Sequence, residues 1–148
     1  MAMLFRFILT TTIALSTMLA YAKDDPMSQL FAARSLKCHF GSGSITTWTG
    51  SKPKTSTARF DQDVYFDSID FKNQSARLIG NIGAGDVKVL ATEVGVSFVE
   101  SEPAVVDLTT VFPIYGNGHD FVAVDTRHVM VSGASMAEQY YGSCQIMQ

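Results

Sequence analysis

The stretch SARLIGNIGAGDVKVLATEVGVSFVESEPAVVDLTTVF, residues 75–112, changes character at nearly every second position. Ala76, Leu78, Gly80 and Ile82 fall on one side, with Ser75, Arg77 and Asn81 on the other. Gly83-Ala84-Gly85 reads as a turn. Val87, Val89 and Ala91 then oppose Asp86, Lys88 and Thr92, and Val94, Val96 and Phe98 oppose Gly95, Ser97 and Val99. Ala104, Val106, Leu108, Thr110 and Phe112 oppose Asp107 and Thr109, so the even positions read as the core face. Side chains alternate across a strand, and one face of an antiparallel sheet is commonly buried while the other stays wet. The stretch therefore predicts consecutive short strands.

Working outward, Tyr115 to His119 (YGNGH) is a loop with an Asn-Gly turn signal, followed by a long strand from His119 to Val131. Ser135 and Glu138 have the spacing of a capping box, and Gly142 the place of a helix C-cap. They predict a helical turn over 136–141. Upstream, Leu36–Phe40 and Ser44–Trp48 read as two strands separated by Gly41-Ser42-Gly43, Ser51–Thr57 as a polar loop, and Val64–Phe71 as a strand. Asp25 before Pro26 is an N-cap with proline at the first helical position, predicting a two-turn helix over 27–34. β-branched and aromatic residues with 11 glycines suit this all-β reading of about eight strands.

Residues 1–22 read as a removable leader. Arg6 precedes an apolar core from Phe7 to Ala20, and Ala20-Tyr21-Ala22 stands before Lys23-Asp24-Asp25, which places cleavage between Ala22 and Lys23. The core falls short of the roughly 20 residues that span a bilayer. The expectation is a single β-rich domain over 23–148, periplasmic or secreted, with no membrane span after cleavage. In an oxidising compartment Cys38 and Cys144 have one intramolecular pairing open to them, closing a loop of 106 positions. That bond would bring the two ends of a meander together, as in a small barrel or a β-sandwich. The barrel is preferred because closure leaves no edge on which VGVSFV would be an aggregation hazard.

The 148-residue chain carries 11 Lys and Arg against 14 Asp and Glu, with no basic block. Nucleic acid is not the expected partner. His39, His119 and His128 lack metal-ligand spacing, and no motif calls for a cofactor. Asp61, Asp63, Asp67 and Asp70 read as a solvated face rather than a calcium site. The candidate binding residues are Arg127 and His128, with Tyr140, Tyr141, Trp48, Tyr65 and Tyr115 as aromatics that could line a mouth. Residues 108–112 (LTTVF), 126–128 (TRH) and 139–144 (QYYGSC), with the early Cys38, resemble a group of small secreted proteobacterial β-proteins. The resemblance implies export and a disulfide and carries no activity.

Three functions follow as expectations. The first is a non-enzymatic β-domain that binds a small or apolar ligand in or at the mouth of a barrel. The second is an envelope or host-directed protein-interaction module. The third is an enzyme using Arg127 and His128, which requires both side chains to reach one cleft.

Overall fold

The computed structural model describes residues 25–147 except 82 and 132. The leader and its Ala22–Lys23 cleavage point lie outside the described residues. A helix α1 (Pro26–Ala32) precedes eight strands: β1 (Leu36–Thr49), β2 (Lys52–Asp70), β3 (Ser75–Gly80), β4 (Gly83–Thr92), β5 (Gly95–Glu102), β6 (Val105–Tyr115), β7 (Phe121–Val131) and β8 (Ala134–Ile146). Each strand pairs antiparallel with the next, and β8 pairs with β1 to close the sheet into a barrel. The VGVSFV segment is held in β5 and its approach, between β4 and β6. Among the described residues no helix is long and apolar enough to cross a membrane.

The helix forms as its cap requires. The Asp25 carboxylate accepts hydrogen bonds from the Ser28 N–H and hydroxyl, each at 2.9 Å, and Pro26 opens the first turn. Leu30 is fully buried, and α1 closes the end of the barrel at which β1 begins. The opposite end carries the β1–β2, β3–β4, β5–β6 and β7–β8 turns and is open.

The disulfide is present. Cys38 and Cys144 face each other directly across β1 and β8, both fully buried, so the bond lies on the closing seam. The same seam depends on two glycines. A Cβ on Gly142 would strike the His39 carbonyl and the Phe40 ring, and one on Gly43 would strike the Gln139 carbonyl and Tyr140. Their bare backbones leave room for Phe40 and Tyr140 to turn inward.

Five sequence expectations need correction. The strands on either side of Gly41–Gly43 are one strand, β1, with a bulge where Phe40 pairs with Gln62 and Ser42 with Arg59. The chain reverses at Gly50 and Ser51, and the polar 51–57 segment belongs mostly to β2. It projects beyond the core, where backbone pairing with β1 stabilises it and no apolar alternation is needed. Gly83-Ala84-Gly85 is not the turn, since β4 begins at Gly83. Residues 136–141 are not helical: they lie in β8, between β7 and β1, where two neighbouring ladders satisfy the backbone and override the local capping signal. Eight strands are found, but one expected pair merges and β8 is added.

The fifth correction decides the character of the interior. On β6 the odd residues face inward: Asp107, Thr109 and Val111 line the interior while Val106 and Leu108 are exposed. The expected core face of this strand is its outer face. β2 pairs with β3 through only four residue pairs among the described residues, against eleven between β7 and β8.

Candidate functional site

The inward residues form rows, because directly paired residues in an antiparallel sheet point to the same face. Toward the closed end, Phe121, Cys144, Cys38 and Val64 make one row, and Val96, Val111, Ala123, Gly142 and Phe40 the next. Both are packed apolar layers. The next row toward the open end is Phe98, Thr109, Asp125 and Tyr140, and above it stand Glu100, Asp107, Arg127 and Glu138. The interior thus passes from apolar to charged within two rows.

A cavity of about 460 Å³ occupies this part of the barrel. Its floor and walls include Phe60, Val64, Phe66, Leu78, Val87 and Phe98. Phe66 stacks on Phe98 with ring centroids 3.8 Å apart and planes 13° apart, and Phe60 stacks on Tyr140 at 5.2 Å and 30°. The upper wall carries Glu100, Glu102, Asp107, Asp125 and Glu138, with Arg127 as the one cation among the lining residues. Asp63 also borders the cavity, but its carboxylate binds Lys37 Nζ at 2.8 Å and His39 Nδ1 at 2.9 Å.

The charged groups are partly compensated. Arg127 lies directly across β6–β7 from Asp107, with Nε 3.1 and 3.0 Å from the two carboxylate oxygens and Nη2 at 2.9 Å. This fork engages the guanidinium with its neighbour. The Thr109 hydroxyl donates to Asp125 at 2.6 Å. Burial pushes the Asp125 carboxyl up to about 6; the Thr109 hydrogen bond opposes this, and Asp107 adds like-charge repulsion. Burial also raises Glu100 and Asp107, the second despite its Arg127 partner, with further like-charge repulsion from Asp107 and Glu102 respectively. Three neighbouring carboxyls therefore hold their protons more tightly than a solvated acid would.

The structure divides the residues singled out from sequence. Arg127 and Tyr140 line the cavity. His128 is on the opposite face of β7 and shares a shallow outer groove with Trp48, Val106 and Met130. Tyr141 is exposed on the outer face of β8. Tyr65 sits outside under Lys37 Nζ, 5.7 Å from the ring centroid, and Tyr115 packs on Phe121 toward the closed end. Arg127 and His128 do not reach one cleft, so the enzyme reading that needed their convergence is dropped.

Sequence reasoning missed the carboxylates. The signal was present on β7, where Phe121 and Ala123 share parity with Asp125 and Arg127. A core face that turns acidic halfway along a strand marks an interior that is not packed shut. Among the described residues, no group of three His, Cys, Asp or Glu side chains is placed to hold a metal ion. No family model, curated protein or solved structure matches the chain.

Proposed function

We propose that the chain is an exported, non-enzymatic binding protein that holds a small molecule in the lumen of its barrel, in the periplasm or outside the cell. The observation that carries this reading is the cavity of about 460 Å³, apolar below and polar above. Small-molecule sites are commonly about 300–1,000 Å³, mostly apolar, with a few polar groups that fix orientation. An eight-stranded barrel is just wide enough either to be filled by side chains or to hold one small ligand. The buried disulfide and the leader motif support an oxidising destination.

Native mass spectrometry of protein purified from its producing cell without denaturation tests the reading. The expected result is a bound mass that is lost in Leu78→Trp, a variant that fills the lumen floor. A wild-type barrel that carries no extra mass and takes up no apolar fluorophore, while remaining folded by circular dichroism, overturns it.

The outer groove favours a second reading, the protein-interaction module. Trp48, Val106 and Met130 are exposed together around it, and contiguous apolar surface of this kind can mark a contact site. Native pull-down from the producing cell separates the two readings, and no stable partner above background counts against the second.

A further inference from the structure

We infer that the lumen is built for an organic cation, an ammonium group carried on an apolar body. The inference rests on the lumen reading above and adds the chemical class of the ligand. Its basis is the combination of an enclosed apolar floor, two stacked aromatic pairs and an excess of negative charge in one cavity.

The charge asymmetry comes first. Glu100, Glu102, Asp107, Asp125 and Glu138 face the cavity against Arg127 alone. Arg127 is already held by both oxygens of Asp107, so it offers no free fork to an incoming anion. A fatty acid entering tail first would bring its carboxylate level with Glu100 and Glu138. A neutral apolar ligand would leave the carboxylates uncompensated in a partly dry space. A cation attached to an apolar body satisfies both levels of the site. Its body occupies the floor between Leu78, Val87 and Phe98, and its charge lies at the acidic row.

The Phe60–Tyr140 pair points the same way. Phe60 and Tyr140 stack within the cavity wall, and Tyr140 is directly paired across β7–β8 with Asp125. An ammonium near an aromatic face is attracted by the ring quadrupole, the more so where water is excluded. Aromatic faces beside carboxylates therefore suit a substituted ammonium, whose methyl or methylene groups contact rings while the charge is balanced nearby. A bare metal ion would use neither the rings nor the volume.

The test is isothermal titration of the unreduced protein at pH 7.5 with three probes sharing one tail: octyltrimethylammonium, octanol and octanoate. The cation is expected to bind about tenfold or more tightly than the alcohol, and octanoate more weakly still. Glu138→Gln is expected to weaken the cation about fivefold and leave octanol unchanged, and Leu78→Trp to abolish both. Equal or tighter binding of octanol or octanoate overturns the ligand class while leaving the lumen reading in place. Binding of none of the three overturns both. Displacement of octyltrimethylammonium by micromolar calcium assigns the acidic row to a metal and also overturns the inference.

Discussion

At Asp125 the fold holds a carboxyl where its ionisation is costly. Its pKa stands at about 6, against 3.8 for the ordinary side chain, chiefly because it is buried. Between those two values the native chain binds more protons than the unfolded chain. The contribution of Asp125 is therefore most favourable below about pH 4, falls as pH rises toward 6, and is constant above that. Asp125→Asn should remove this penalty and keep the Thr109 hydrogen bond. We expect the variant to be more stable than wild type at pH 7 by on the order of 2–3 kcal/mol and equal to it near pH 4. Urea denaturation at both pH values checks this, and a variant no more stable at pH 7 than wild type would contradict it. Glu100 and Asp107 are raised in the same direction, whereas the well-solvated Asp63, Asp67 and Asp70 are lowered, first of all by hydrogen bonds from Lys37, Ser35 and Asn73. Within one chain, Glu100, Asp107 and Asp125 respond to pH with the opposite sign to Asp63, Asp67 and Asp70.

β6 makes the clearest case for how an element can be misread. Its even positions, Val106, Leu108 and Phe112, look like a core face, yet the buried residues are Thr109 and Val111. Alternation reveals that the segment is a strand and says nothing about which side of the closed sheet is dry. In a packed sheet the apolar side is the inner one; in a barrel with a polar cavity the two sides can exchange character. Val111→Ala should cost about 2 kcal/mol by leaving a void in the packed layer. Leu108→Thr should stay within about 0.5 kcal/mol, as surface changes usually do. Thermal melts of both variants check the assignment, and the reverse order of effects would restore the sequence-based face. β3 and β4, with a simple apolar interior, and the Val96–Phe98 part of β5 were legible for the same reason that β6 was not. The disulfide was legible because only two cysteines exist. β8 was obscured by a capping pattern whose helical meaning is lost once β7 and β1 claim its backbone. Arg127 and Tyr140 were found as isolated residues, but the carboxylates around them become a site only when register aligns four strands.

For the whole molecule, closure rests on one covalent and several hydrogen-bonded seams. The Cys38–Cys144 bond closes a loop of 106 positions, worth about 4–5 kcal/mol in the chain-entropy picture. Unreduced protein should titrate no thiols even when unfolded, and reduction should lower its denaturation midpoint accordingly. The β2–β3 ladder has only four pairs, and the long outer part of β2 extends past β3 without a partner strand on that side among the described residues. Sulfur thus rivets the join at which a barrel of this connectivity would be expected to spring apart, and strain is directed to a different stave. Native-state hydrogen exchange should find residues 75–80 opening sooner than β1 or β8. Breathing at that stave would widen a side door onto the lumen, a route by which a ligand of the proposed kind would enter without the ends of the barrel ever coming undone.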